Sequence, residues 1–190
     1  MKALFIAGVL YVLAVSTSLF QSTYQQEPDF RYLGDSISLR AQQVLIKNLL
    51  QAVQKSGTAT AVDFCNVKAI PLTDSLSKKY GVIIQRISTR NRNPINAATT
   101  DDAKILGQFD LTKKPMLRDT LLKNAEDYTY YKPIRVAMPA CLNCHGNPGT
   151  DIDRTTLQVI NNKYPNDKAT GYQLNDLRGA WKLTFTKKPE

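Results

Sequence analysis

An amphipathic helix is the clearest pattern in the first third of the chain. Six apolar residues recur there at helical spacing and form one apolar face: Leu39, Val44, Leu45, Leu49, Leu50 and Val53. Asp35 or Ser36 is suited to cap this helix, because short polar side chains accept hydrogen bonds from the first free backbone N–H groups. Gly57 is suited to end it. The pattern therefore predicts a helix that begins near residue 35 and ends at Gly57.

Two shorter helices are predicted after Gly57. The first covers 58–69 and is broken by Pro71, because a proline inside a helix removes a backbone hydrogen bond. The second covers 72–80 and is closed by Gly81, a residue that readily adopts the left-handed conformation at helix ends. The N-terminal part of the domain is therefore predicted to be helical.

Strand patterns follow in the second half of the chain. Four runs are β-branched or alternate between apolar and polar residues: 82–89, 116–122, 128–136 and 180–186. The second and third flank a turn at 123–127 and are predicted to form a hairpin. Two further helices are predicted over 100–109, capped by Thr99 or Thr100, and over 154–164. Helices followed by antiparallel strands with inserted helices are typical of an α+β fold.

The extreme N-terminus has the composition of an export signal. Lys2 precedes a run over 3–20 that contains no charged residue. Its small residues make a poor cleavage site, so an uncleaved membrane anchor is the alternative to a signal peptide. The predicted organisation has three parts: a signal peptide or membrane anchor (1–22), a linker (23–34) and one domain (35–187). We expect the domain to be periplasmic or otherwise outside the cytoplasm.

Composition and charge exclude several classes of protein. The 190 residues are 43% hydrophobic and 22% charged, which is ordinary for a globular protein and not for a collagenous or disordered one. The formal net charge is +9, from 25 basic and 16 acidic side chains. The basic residues are spread along the chain and form no arm or stripe, so we expect no nucleic-acid partner.

One short motif carries specific chemistry. Cys141, Cys144 and His145 match the Cys-x-x-Cys-His signature of c-type haem attachment. Two thiols three residues apart can each add to one vinyl group of the porphyrin, and the adjacent imidazole then lies beneath the iron. The motif therefore predicts one covalently bound haem c with His145 as an axial ligand. The export signal agrees, because this attachment is completed outside the bacterial cytoplasmic membrane.

Three other interpretations of the two cysteines are weaker. A redox Cys-x-x-Cys is expected beside a βαβ pattern, which this segment lacks. A Cys3His zinc site would recruit Cys65, but the neighbouring Cys144 and His145 would rarely bind one ion. A structural disulfide between Cys141 and Cys144 is the third alternative. None of the three explains the adjacent histidine and the export signal together.

The second axial ligand is not decided by spacing. His145 is the only histidine, so a bis-histidine site is excluded and the candidates are Cys65, Met116, Met138, a lysine amine or no residue. Met138 is poorly placed, because it lies close to Cys141 on the same side of the haem. Cys65 is either a ligand or a small buried hydrophobic residue. Peroxidases and oxygenases need an open iron face and usually a distal acid or base, so we expect no enzyme activity.

Several segments together resemble the Tll0287-like family of single-haem domains. They are 63–69 (DFCNVKA), 86–96 (RISTRNRNPIN), 130–136 (YYKPIRV) and 141–146 (CLNCHG), and the pattern continues through 164–179. The resemblance covers about 35–187. It implies a PAS-like fold, an antiparallel sheet with flanking helices, that holds haem c. It also implies His/Cys ligation, with Cys65 bound opposite His145.

Polar and aromatic residues near these segments are candidates for further haem contacts. Arginine binds carboxylates in a bidentate manner, so the loop after the first strand is predicted to bind the haem propionates through Arg86, Arg90, Arg92 and Asn96. The alternative is a helix-entry loop with solvated charges. Three aromatic residues are either porphyrin contacts or ordinary core: Tyr130, Tyr131 and Trp181.

Two uses of such a haem are open from the sequence. In a sensor, reduction would weaken the bond from the iron to Cys65 and free a site for CO or NO, with a separate signalling protein as partner. In an electron carrier, the basic surface would steer acidic redox partners towards an exposed haem edge. The PAS-like resemblance and the cysteine ligand favour the sensor.

Overall fold

The computed structural model describes residues 29–109 and 117–186. The leader 1–22, the first half of the linker (23–28) and Met116 lie outside these residues. In the part of the chain that is described, no helix is both long and apolar enough to cross a membrane.

The first helix begins earlier than predicted. Helix α1 extends over Phe30–Tyr80, and the carboxylate of Asp29 accepts a hydrogen bond of 3.0 Å from the backbone N–H of Tyr32. The prediction that Asp35 or Ser36 caps the helix was therefore wrong, and part of the predicted linker is helical. Asp29 has the short acceptor side chain that an N-cap requires, so the capping rule applies at an earlier residue.

Helix α1 is interrupted at one glycine and continues through its proline. Gly57 has a non-helical backbone (φ 78, ψ 173), which confirms the predicted end of the first helical segment. The prediction of a break at Pro71 was wrong, because the helix continues to the left-handed Gly81 that closes it. Ala69 and Thr73 are buried on either side of Pro71, and the Thr73 hydroxyl donates to the Ala69 carbonyl. Packing therefore outweighs the lost backbone hydrogen bond.

Four antiparallel strands form one sheet in the order β1-β4-β3-β2. Their bounds are β1 Ile83–Ile87, β2 Thr120–Lys123, β3 Asp127–Arg135 and β4 Leu177–Thr186. The predicted hairpin is β2 and β3, and β4 begins slightly before the predicted strand. The α+β fold class and the antiparallel sheet with flanking helices are confirmed.

Three short helices complete the described fold: α2 Thr100–Leu106, α3 Pro139–His145 and α4 Arg154–Lys163. Helix α2 begins at Thr99, which exchanges capping hydrogen bonds with Asp102. Helix α4 agrees with its prediction. The pattern did not predict α3, which is too short to show a period.

The core has separate clusters on the two sides of the sheet and beneath α4. The first part of α1 packs on the sheet through a cluster that includes Ile37, Tyr130 and Trp181. Beyond Gly57, α1 packs against α4 through Val62, Ile160 and their neighbours. The second segment of α1 is therefore held beside α3 and α4, where it faces the end of the sheet.

Candidate functional site

A cavity of about 310 Å³ lies between α1, the sheet and α3. This volume is at the lower end of the range for pockets that hold small molecules and cofactors. Seven of the eight predicted site residues line it: Cys65, Arg86, Arg92, Asn96, Cys141, Cys144 and His145. Segments that are distant in the sequence therefore meet at one site.

Helix α3 presents the two motif thiols. Cys141 and Cys144 are one helical turn apart, so they lie on the same side of α3 and both line the cavity. Both are free and half-buried, and burial raises the pKa of the Cys144 thiol to about 11. Both thiols are therefore accessible from the cavity, and the raised pKa keeps Cys144 in its thiol form.

His145 is the last residue of α3, and its neighbours determine its tautomer. The ring Nδ1 lies 2.8 Å from the backbone carbonyl oxygen of Ala169. A carbonyl only accepts, so Nδ1 carries the proton and Nε2 has a free lone pair. Burial, followed by the charges of Arg178 and Arg92, lowers the pKa of His145 well below 6.5. The neutral imidazole is therefore suited to bind a metal through Nε2.

Cys65 reaches the cavity from the second segment of α1. Burial raises the pKa of its thiol, and the charges of Arg86 and Arg92 oppose that rise. Of the other candidate ligands, Met138 also lines the cavity, whereas no lysine of the described residues does so. The lysine alternative therefore has no support in this part of the chain.

The charge of the cavity wall is strongly unbalanced. Among the described residues, its lining contains no Asp or Glu. It contains four arginines: Arg86, Arg92, Arg135 and Arg178. The Arg178 Nη1 donates to the Ser88 hydroxyl and the Arg90 carbonyl, but its buried Nε has no partner in the described part of the protein. Burial also lowers the pKa of Arg86 and of Arg178. Both side chains are half-buried, and cations that are partly removed from water are stabilised by an anion, so the donor set fits a ligand that carries carboxylates.

Arg90 is the one predicted site residue that does not line the cavity. Its guanidinium donates to the carbonyls of Lys168 and Thr170 and lies 4.0 Å from the centre of the Tyr172 ring. The predicted propionate contact of Arg90 is therefore not supported. The backbone turns at Thr89 and directs successive side chains to different sides, which the spacing of the arginines does not reveal.

Sequence reasoning missed Arg178 as a site residue. The family resemblance includes the segment 177–179. That segment was the signal in the sequence that could have identified Arg178. Among the three candidate aromatic residues, Trp181 lines the cavity, whereas Tyr130 and Tyr131 are core residues.

The structure does not support a disulfide or a zinc site at the cysteines. All three cysteines are free, so the structure contains no disulfide between Cys141 and Cys144. Within 29–109 and 117–186, no three or more His, Cys, Asp or Glu side chains are grouped to hold a metal ion, which is what the zinc interpretation requires.

Comparisons with known proteins agree with this architecture. The crystal structure of the cyanobacterial heme protein Tll0287 is similar in fold, with a TM-score of 0.58 and 23% sequence identity. The match covers 84% of this chain and 97% of that chain. A search of curated proteins gives no match. A family model described as Tll0287-like matches residues 18–186. Since that model covers most of the sequence, the chain belongs to the Tll0287-like family.

Proposed function

We propose that the protein binds one haem c covalently in the cavity between α1, the sheet and α3. The observation that carries this proposal is that two neighbouring thiols and the free Nε2 of His145 line the same cavity. The fold is shared with Tll0287, which is a heme protein. Cys141 and Cys144 each add S–H across one haem vinyl group, which forms a thioether and releases no by-product. His145 binds the iron through Nε2.

Cys65 is the second axial ligand in this proposal. It lies on α1, a different wall of the cavity from α3. Burial raises the pKa of its thiol, and the charges of Arg86 and Arg92 partly offset that rise. Bound haem supplies an iron centre that changes between ferric and ferrous states. A thiolate ligand stabilises the ferric state and lowers the reduction potential relative to a methionine ligand. If His145 and Cys65 both held the iron, neither of its faces would be open to the substrate of a peroxidase or an oxygenase.

Arg86 and Arg178 bind the haem propionates, with Asn96 as a further polar contact in the cavity wall. Neither arginine has a carboxylate partner among the described residues, and Arg178 Nε is buried and unpaired. Arg92 is excluded from this role because its guanidinium already pairs with Asp167. Two guanidinium groups that lack a carboxylate partner among the described residues match the two carboxylates of a haem.

Covalent attachment is tested by maturing the full chain with a bacterial c-type assembly system. The wild-type protein should retain haem on a denaturing gel and gain the mass of one haem. The Cys141→Ser, Cys144→Ser variant should lose both properties, whereas Cys65→Ser, the matched control, should keep them. Covalent haem in the double variant would refute the assignment.

The physiological role we propose is redox or small-ligand sensing outside the cytoplasm, with CO or NO as iron ligands and a separate protein as signalling partner. The support is the position of Cys65 on a helical segment that begins at the non-helical Gly57, so release of Cys65 would remove one restraint on that segment. The alternative is single-haem electron transfer, which the net charge of +9 favours.

Spectroscopy of the reduced protein separates the two roles. In a sensor, reduction should release Cys65, CO should bind, and electron exchange with small redox mediators should be slow. Unchanged six-coordinate ligation with rapid exchange would refute sensing and support electron transfer. A Cys65→Ala variant that binds CO in both cases shows that the CO assay itself works.

A further inference from the structure

We propose that the buried ion pair Arg92–Asp167 positions His145 and adjusts the reduction potential of the haem. This inference rests on the proposed function, since it concerns the axial ligand of that haem. Neither residue binds the haem directly in the proposed function. The guanidinium of Arg92 pairs with Asp167, and Asp167 lies in the loop after α4.

The ion pair is bidentate and almost fully buried. Arg92 Nε donates to Asp167 Oδ1 at 3.2 Å, and Arg92 Nη2 donates to Oδ2 at 3.0 Å. The exposed fractions of the two side chains are 10% and 7%. A pair with this geometry holds both side chains in one orientation, because two guanidinium nitrogens, Nε and Nη2, each donate to a different carboxylate oxygen.

Both partners extend their hydrogen bonds to the backbone around His145. Arg92 Nη2 also donates to the carbonyl of Cys144 at 2.6 Å and to that of Ala169 at 3.2 Å. Asp167 Oδ1 accepts from the Ala169 N–H at 2.9 Å. The Ala169 carbonyl is the acceptor for His145 Nδ1. The ion pair therefore fixes the single acceptor that orients the imidazole, and it also fixes the residue before the histidine.

This arrangement gives the two charges opposite effects on the metal. Arg92 shares the Ala169 carbonyl with His145, which weakens the hydrogen bond at Nδ1 and makes the imidazole a poorer electron donor. Its positive charge also disfavours the ferric state, and both effects raise the reduction potential. The negative charge of Asp167 opposes the charge of Arg92 and lowers the potential.

The test compares Arg92→Gln, Asp167→Asn and the double variant in the haem-loaded full chain. Redox titration should give a lower midpoint potential for Arg92→Gln and a higher one for Asp167→Asn. The double variant should lie between them, because it removes both charges. A purely structural pair would give shifts of the same sign, since either single change loosens the same loop.

Asp102→Asn and Lys182→Gln provide the matched control, because Asp102 and Lys182 form another ion pair, with Asp102 buried, that does not line the cavity. These variants should leave the potential unchanged. A second measurement covers the case in which a single variant fails to hold haem. In the wild-type protein the Nδ1 proton of His145, followed by NMR, should exchange slowly with water, and exchange should be faster in the double variant.

The positioning role would be overturned if the two single variants shifted the midpoint potential in the same direction or left it unchanged. Rapid exchange of the His145 Nδ1 proton in the wild-type protein would also overturn it. Loss of covalent haem from the wild-type protein would instead refute the proposed function. The two failures are therefore distinguishable, because haem attachment is read from the gel and the positioning role from the potential and the exchange rate.

Discussion

At the scale of single residues, burial determines the chemical state of the groups in the cavity. His145 is neutral because burial and nearby arginines lower its pKa, although the Ala169 carbonyl opposes that shift. Cys65 has the opposite balance, since burial raises its thiol pKa and the arginines lower it. The same positive charges therefore keep the imidazole unprotonated and favour the thiolate, and both effects suit metal ligands.

The neutral state of buried His145 predicts a pH dependence for the haem-free protein. Its pKa is below 6.5 in the folded state and returns to about 6.5 on unfolding, so only the unfolded state gains a proton as the pH falls through that value. The free energy of unfolding should be constant above this pH and decrease below it. Urea titrations of Cys141→Ser, Cys144→Ser measure this, and adding His145→Gln should remove the His145 contribution. An unchanged pH profile in that triple variant would contradict the prediction.

Replacement of the proposed second ligand should alter the metal directly. In the haem-loaded protein, Cys65→Ala should change the low-spin absorption spectrum and raise the reduction potential, because the thiolate that stabilises ferric iron is lost. Met138→Ala is the comparison, since Met138 also lines the cavity. If only Met138→Ala changes the spectrum, methionine is the ligand and the assignment of Cys65 is wrong.

At the scale of elements, the site depends on how closely α1 approaches the sheet. Gly34 of α1 is buried against the ring of Tyr130, and a Cβ at this position would overlap that ring. Phe30 stacks on Tyr128 with ring centroids 4.3 Å apart, and Asp35 accepts hydrogen bonds from Tyr130 and Lys132. These contacts hold the first segment of α1 on β3, and α1 in turn carries Cys65.

Replacement of Gly34 by alanine should destabilise the protein, although replacement of a helical glycine usually stabilises. Glycine to alanine in a helix normally stabilises a protein by about 1 kcal/mol. Gly34→Ala should instead destabilise by about 1–3 kcal/mol, because the methyl group forces α1 away from Tyr130. Denaturant unfolding measures the difference. Ser36→Ala, on an exposed turn of the same helix, is the control, and a stabilised Gly34→Ala variant would refute the close approach.

At the scale of the whole molecule, the cavity assembles positive charge that the described residues neutralise only at Arg92. Arg86 lies on β1 and Arg178 on β4, and these strands pair side by side in the sheet. No carboxylate from the described residues lines the cavity. The arginines therefore destabilise the folded protein when the cavity is empty, and an anionic cofactor reduces that destabilisation. Cofactor binding should therefore increase the free energy of unfolding.

This coupling predicts that replacement of Arg178 changes the stability of the protein in opposite directions with and without haem. Arg178→Gln should stabilise the haem-free Cys141→Ser, Cys144→Ser protein, because it removes a half-buried charge that has no carboxylate partner among the described residues. The same change should lower the melting temperature of the haem-loaded protein, since a propionate loses its partner. Thermal unfolding of both forms measures this, with the exposed Arg154→Gln as control. Destabilisation in both forms would show that Arg178 has only a structural role.

Most elements of the fold could be predicted because their signals are local. The strands show period-two alternation or β-branched runs, and α4 shows an amphipathic pattern bounded by a capping aspartate. The errors arose where tertiary contacts decide the outcome. Pro71 remains helical because its neighbours are buried, and α1 begins at Phe30, where contacts with β3 extend it.

The sequence by itself determined the Cys-x-x-Cys-His motif, from which haem attachment is predicted. Cys141, Cys144 and His145 are close in the chain, so any helical or turn conformation brings them together. The tertiary structure alone decided which arginines face the cavity, and that Arg92 pairs with a residue 75 positions away. The reason is physical, since contacts over such separations depend on strand order and helix packing, and neither is encoded in the spacing of a local motif.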